Sequence, residues 1–341
     1  MKRIDSILAF SLRNVFCGTL FCLTLSSCLY EEPELTSDGQ RGIDPTEVTL
    51  TADLSINLKL PEAATADSRA ESAPAGYRHR FIVEAYLNRE VAARRVVYEE
   101  PAEHTALKVP VSLKLHARNY QLAVWSDYVE AGSEEDLYYD TQEKLMTVYG
   151  TDPYRGNTEW KDVFCATREL DLSDLRNEWN AKVPMEMELK RPVARYELIA
   201  NDVATFLRRI STGEVTGKKF TVRVKYDYYL SVGYNVLDNL PKHALMYMQY
   251  DRSLPVPAEG TKELRIGFDY VFTGDEPEKI PVTVEIVNEK SVAIARTSLS
   301  IPCRKGKLTQ VRSAFLTADP NGGIGFNPDY DGSIDVELGD L

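Results

Sequence analysis

From Val48 to Leu60 this chain is apolar at every second position. Val48, Leu50, Ala52, Leu54, Ile56, Leu58 and Leu60 alternate with Thr49, Thr51, Asp53, Ser55, Asn57 and Lys59. A period of two gathers one set of side chains on one face of an extended strand, whereas a helix would scatter them around its surface. The same alternation returns in Phe81–Leu87, Leu107–Leu115, Tyr120–Val124 and Val183–Leu189. It continues in Tyr196–Ala200, Phe220–Tyr228, Leu264–Phe272, Ile280–Ile286, Thr309–Phe315 and Ile334–Leu338. Val91–Tyr98 reads as a hairpin partner after a turn at Asn88-Arg89-Glu90, and Pro110 marks its run as a sheet edge or bulge. Helices that would cross over between parallel strands are missing. The fold class is therefore all-β, with antiparallel β-sandwiches. One helix is well signalled in the second half. Asn201 or Asp202 caps it, Val203, Phe206, Leu207 and Ile210 form its stripe, and Gly213 ends it. Leu172–Trp179 reads as a second, shorter one.

Ahead of the first strand lie Lys2, Arg3 and Arg13, an apolar stretch from Val15 to Leu25, and Leu25-Ser26-Ser27-Cys28. Basic, apolar, then small is the order of a secretory signal. Its apolar part is shorter than the roughly 20 residues of a membrane-spanning helix. The Leu-Ser-Ser-Cys run resembles a bacterial lipobox, in which the cysteine is acylated, with palmitate for example, and becomes the first residue of the exported chain. Residues 1–27 thus read as a signal peptide, and Cys28 as the lipidation site through which acyl chains hold the protein on a membrane. Residues 28–46, with acidic Glu31-Glu32-Pro33-Glu34, read as a flexible tether. Residues 61–76 break the strand pattern and read as a mobile loop.

The chain has 341 residues and a formal net charge of −12, and loss of the basic signal leaves the remainder more acidic still. That excludes nucleic acid as a partner, because phosphate binding needs clustered Lys and Arg. It also excludes adhesion to anionic lipid by charge, so the acyl anchor must hold the membrane. Of the five cysteines, Cys17 and Cys22 leave with the signal and Cys28 carries lipid. Cys165 and Cys303 lie in different halves and read as two buried, unpaired thiols. No Cys-x-x-Cys occurs, so no zinc site is expected.

No phosphate-cradling glycine loop and no Gly-x-Ser-x-Gly elbow is present. His79, His104, His116 and His243 are not spaced as metal pairs and read as surface or turn residues. Glu134-Glu135-Asp136 and Asp329-Tyr330-Asp331 are clusters that an acidic chain produces by chance. Asp329, Asp331 and Asp335 lack the glycine and bidentate glutamate of a calcium loop. No catalytic residue, metal or cofactor is expected, and the chain reads as non-enzymatic. Nineteen tyrosines stand out more. Residues 127–160, rich in Tyr, Asp and Glu, read as an elaborated loop region, and Tyr226 and Tyr228 are expected to share a face opposite to Tyr229. Such rings either fill a core or stack on sugars and protein partners. The loop supports an alternative in which the chain is a carbohydrate- or protein-binding surface lipoprotein that does not polymerise.

Four stretches carry a resemblance to a family. They are the Leu25–Cys28 lipobox with its acidic sequel, the Val48–Leu60 strand, the run from Leu189-Lys190-Arg191-Pro192 to Leu198, and Ile301-Pro302-Cys303-Arg304 to Val311, continuing through Phe315-Leu316-Thr317 to Phe326-Asn327-Pro328-Asp329-Tyr330. With them the chain resembles the fimbrillin-related lipoproteins of Gram-negative anaerobes, which build or anchor type V pili. The resemblance implies two transthyretin-like sandwich domains, 47–190 and 191–341, joined at 190–192. It implies export to the outer face of the outer membrane and fimbrial subunits as partners. In that family an arginine-specific protease removes an N-terminal strand, and a strand of the next subunit fills the groove. Arg41 and Arg69 are the candidate cleavage sites here, and cutting at Arg69 would free the Val48–Leu60 strand. A fimbrial anchor, assembly or adhesin-like role is therefore expected.

Overall fold

The alternating segments are strands, and they form two sandwiches of one design. The computed structural model describes residues 47–56, 76–99, 107–176, 178, 181–320 and 334–337, the first and last of these by backbone. In the first half, β1 (Glu47–Ile56) lies between β4 (Leu107–His116) and β9 (Lys182–Leu189). The facing sheet has the order β3-β2-β5-β8, from β2 (Tyr77–Leu87), β3 (Glu90–Glu99), β5 (Asn119–Glu130) and β8 (Phe164–Asp171). In the second half, β10 (Val193–Ala200) lies between β15 (Leu264–Phe272) and β18 (Lys307–Ser313). Opposite it stands β14-β11-β16-β17, from β11 (Lys219–Tyr226), β14 (Gln249–Pro255), β16 (Glu278–Asn288) and β17 (Ala293–Cys303). Strand for strand in chain order, the second arrangement repeats the first. It adds β19 (Ile334–Glu337), antiparallel on β18.

Two pairings depart from the antiparallel expectation: β1 runs parallel to β9, and β10 runs parallel to β18. Parallel neighbours need a long crossover. Here the crossover is the opposing sheet itself, so no crossover helix was there to be read.

Each sandwich closes on the alternation. Phe81, Val83 and Ala85 of β2 meet Val109, Val111 and Leu113 of β4 in one core. Val222, Val224, Leu198, Ile266 and Val284 build the other, covered by helix α1 (Val203–Ser211) through Val203 and Phe206. The carboxylate of Asp202, at the start of α1, accepts hydrogen bonds from the Leu316 amide and the Thr317 hydroxyl rather than capping its own helix. Gly213 takes φ 78° just after the helix, a left-handed conformation that glycine adopts without cost. The β2–β3 hairpin turns through Asn88 and Arg89, both at positive φ, which matches the right-handed twist of the two strands. Leu172–Trp179 holds a single 3-10 turn, Ser173–Leu175, among its described residues.

A third apolar cluster uses the other faces of β2, β5, β10 and β15. Ile82, Tyr86, Trp125, Val193, Phe268 and Phe272 meet there. β2 and β5 are consequently buried on both faces, like strands in the middle of a layered protein. Cys165 and Cys303 are both buried, and burial pushes the Cys165 thiol up to about 12.

Candidate functional site: a strand slot and an anchored aromatic insert

The first feature is the place of β1. It pairs antiparallel with β4 from Glu47↔His116 to Ile56↔Leu107, and parallel with β9 from Thr49↔Lys182 to Ile56↔Leu189. Val109, Val111 and Leu113 on one side, and Met185, Met187 and Leu189 on the other, are buried in the core below. The seat of β1 is thus a two-sided main-chain slot beside apolar side chains. Cys28, Arg41 and Arg69 lie outside the described residues, as do His104, Asp329 and Asp331.

The second feature is the chain between β5 and β8, where the sequence suggested an elaborated loop. Short strands β6 (Tyr139–Asp140) and β7 (Val148–Gly150) join β12 (Leu230–Asn235) and β13 (Leu240–Leu245) in a small sheet of order β13-β12-β7-β6. Buried charges clamp this insert to the first sandwich. Arg80, only 4% exposed, gives Nε and Nη2 to the Asp127 carboxylate at 2.9 and 2.6 Å and Nη1 to Asp136 at 2.6 Å. Asp136 in turn accepts from the Thr141 amide and hydroxyl. Burial opposes the Arg80 charge, but the two carboxylates outweigh it and raise its pKa above the ordinary value. Fully buried Glu84 takes Arg94, the Tyr86 hydroxyl and the Leu145 amide. Asp136, which the sequence offers only as part of an acidic cluster, is an inward-facing anchor.

On this base stands an aromatic shelf. Trp160, in the 3-10 turn Glu159–Lys161, stacks on Tyr77 at 4.6 Å, and Tyr128 meets its edge at 5.1 Å. Arg155 lies over the Tyr138 ring at 5.7 Å. Beside it is a small cleft lined by Tyr138, Tyr154, Arg155, Lys161, Ser231 and Tyr270 among others. Gly156 packs so closely that a Cβ would lie 2.2 Å from the Tyr250 ring.

The floor of the cleft is a buried polar network. Lys161 Nζ reaches Asp269 Oδ1 at 3.0 Å and the Tyr154 hydroxyl at 2.8 Å. Tyr154 and Tyr226 donate to Asp269 Oδ2 at 2.5 and 2.7 Å. The Tyr270 amide donates to Oδ1 at 2.8 Å. Tyr196 bonds Tyr226 at 2.8 Å and Tyr250 at 3.3 Å. Burial raises the pKa of all these phenols, so they are neutral donors at ordinary pH. Nothing in the sequence pairs Lys161 with Asp269, which are brought together only by the fold.

Two expectations need correction. Tyr226 is buried, but Tyr228 is 59% exposed and does not share its face, because β11 ends at Tyr226 and alternation stops there. His79 is not a surface residue: it is 1% exposed, sits inside β2 and lies 4.3 Å from the Tyr128 ring. The β2 strand is covered on both faces, so its polar members are buried with the rest. No group of three metal-ligating side chains occurs among the described residues. No helix among them is long and apolar enough to cross a membrane.

Solved structures are similar to this chain at low identity. A candidate cell adhesion protein from Bacteroides eggerthii is 11% identical, with a TM-score of 0.41 over 85% of this chain and 92% of that one. The fimbrial anchor protein Mfa2 from Porphyromonas gingivalis is 9% identical, with a TM-score of 0.39 over 78% and 90%. The tip fimbrial protein Mfa3 from the same organism, truncated at its C-terminus, is 7% identical, with a TM-score of 0.36 over 78% and 94%. At this level the likeness carries no argument about this chain. A comparison with the curated proteins finds no match. The model of a family of unknown function, DUF6562, matches residues 45–339, from just before β1 to just past β19, and the chain belongs to that family.

Proposed function

We propose that this chain is a non-enzymatic, lipid-anchored cell-surface protein with a fimbrial anchor, assembly or adhesin-like role, acting by strand addition. The observation that carries the reading is the central place of β1 between β4 and β9. The connection from β1 to β2 contains Arg69. A cut there separates β1 from every other strand without breaking a second connection. The vacated slot would offer main-chain donors and acceptors and alternating apolar pockets, which is how a strand from another subunit is bound. Left open, such edges invite aggregation, so a slot of this kind calls for a partner strand. Acyl chains on Cys28 supply the outer-membrane tether, and two domains, 47–190 and 191–341, form the exported body.

The test has two arms. Mass spectrometry of the mature N-terminus is expected to find acylated Cys28, and Cys28→Ser is expected to shift the protein out of the envelope fraction. Unchanged fractionation of the serine variant rejects the tether. Protein nicked by an arginine-specific protease is expected to take up a labelled peptide of residues 47–60 after brief mild denaturation, and failure to do so rejects strand addition.

The Tyr77–Trp160 stack with exposed Arg155 beside it favours a second reading, carbohydrate binding at the shelf. A glycan array with the full chain separates the two. On this reading Trp160→Ala weakens glycan binding roughly tenfold, about 1–2 kcal/mol. An array with no hits, or equal binding by the variant, removes it.

A further inference from the structure

We propose that Lys161 and Asp269 condense within the folded chain into an isopeptide bond between Lys161 Nζ and Asp269 Cγ. The two residues are 108 positions apart and come from different structural parts, the end of the insert and the middle of β15. Their side chains are 9% and 0% exposed, and their atoms meet at 3.0 Å.

The surroundings supply what the reaction needs. An ammonium beside a carboxylate is unreactive, because the nitrogen has no free electron pair and the carbon is a poor electrophile. Tyr154 bridges them: Lys161 Nζ donates to its oxygen, and its hydroxyl donates to Asp269 Oδ2. One proton passed along this bridge converts the pair to a neutral amine and a neutral carboxylic acid. Burial favours the neutral amine, holding the Lys161 pKa below its ordinary value against the pull of Asp269. The amine lone pair then attacks Cγ. Charge collects on Oδ1, where the Tyr270 amide already donates at 2.8 Å. Oδ2 receives a second proton from the nitrogen through Tyr154 and leaves as water, with the Tyr226 hydroxyl bonded to it at 2.7 Å. The C–N bond forms, the Cγ–Oδ2 bond breaks, and no oxidant or external reactant is needed. The Tyr139 hydroxyl holds the Lys161 carbonyl at 2.7 Å and fixes the backbone that aims the amine. The product removes a buried charge pair. It also staples the insert to the second sandwich.

Peptide mapping of the denatured full-length protein tests this directly. The expected result is a branched peptide containing both Lys161 and Asp269, lighter than the sum of its parts by one water, and no tryptic cleavage after Lys161. Lys161→Arg, which keeps the charge but lacks the amine, is expected to abolish the branched species, as is Asp269→Ala. Tyr154→Phe keeps the pair and removes the relay. Its branched fraction in freshly made protein is expected to form roughly 100-fold more slowly. Recovery of Lys161 and Asp269 on separate, unmodified peptides from folded wild-type protein overturns the proposal. So does a branched species that survives in Lys161→Arg, since it would have to come from another pair. Equal rates for Tyr154→Phe and wild type overturn the relay.

Discussion

Replacing Arg80 by alanine is expected to cost about 3–5 kcal/mol of folding stability, the range for removing one partner of a buried ion pair. The guanidinium is bidentate on Asp127 and reaches Asp136 with its third nitrogen. Without it, Asp127 at 2% exposure and Asp136 at 9% are two carboxylates facing each other away from water. Burial already pushes the Asp127 carboxyl above its ordinary range, with Arg80 pulling it back. The intact pair is therefore close to break-even against desolvation, and the cost comes from breaking it. Two readouts follow. Urea unfolding should show the lowered stability, and limited proteolysis should cut the insert between β5 and β8 before the rest of the chain, since Asp136 is one of the side chains that tie it to β2. Asp136→Ala should cost less, because Arg80 keeps its bidentate partner. A double variant, Arg80→Met with Asp127→Leu, should recover much of the loss. A cost near that of a surface pair, at or below about 1 kcal/mol, would show that the clamp is loose.

The sandwiches were legible because burial of one face writes a period of two into a strand. Val109, Val111, Leu113 and Leu115 carry that signature and are all buried. Helix α1 was legible for the same reason at a period of 3.6, from Val203 and Phe206. β12, β13 and β14 were not, because they belong to an added small sheet or an edge, and β13 buries little. Parallel pairing of β1 with β9 was also invisible, since alternation fixes which face a residue takes and not which strand lies beside it. The sites divide along the same line. The apolar pattern marked β1 as a strand, but its central seat depends on Leu107–His116 and Lys182–Leu189 arriving from far along the chain. Tyr, Asp and Glu enrichment marked 127–160 as unusual. It could not say that Asp127 and Asp136 point inward to Arg80, or that Lys161 finds Asp269. Charged residues carry no periodic signal when each has its own partner.

His79 makes the fold acid-sensitive in a window that can be stated in advance. Its ring is buried in β2 beside Tyr128 and Phe81, and neither ring nitrogen has a hydrogen-bond partner among the described residues. Burial lowers its pKa from the ordinary 6.5 to about 4. As pH falls below about 6.5, the unfolded chain takes up a proton that the folded chain refuses, so protonation favours unfolding. The loss grows until the folded ring itself protonates near pH 4, where it levels off at ~3 kcal/mol. Stability should therefore rise with pH between about 4 and 6.5 and owe nothing further to this residue above that. His79→Phe removes the titration and places a ring of similar shape in an aromatic neighbourhood. Carboxylates titrate in the lower part of the same window and act on both proteins alike. The difference in unfolding free energy between variant and wild type, followed by urea denaturation from pH 7 to 4, thus isolates the histidine. That difference should move in the variant's favour by ~3 kcal/mol across the range. Two curves that stay parallel would mean that His79 protonates in the fold as easily as in the unfolded chain, and that water or a carboxylate reaches its ring.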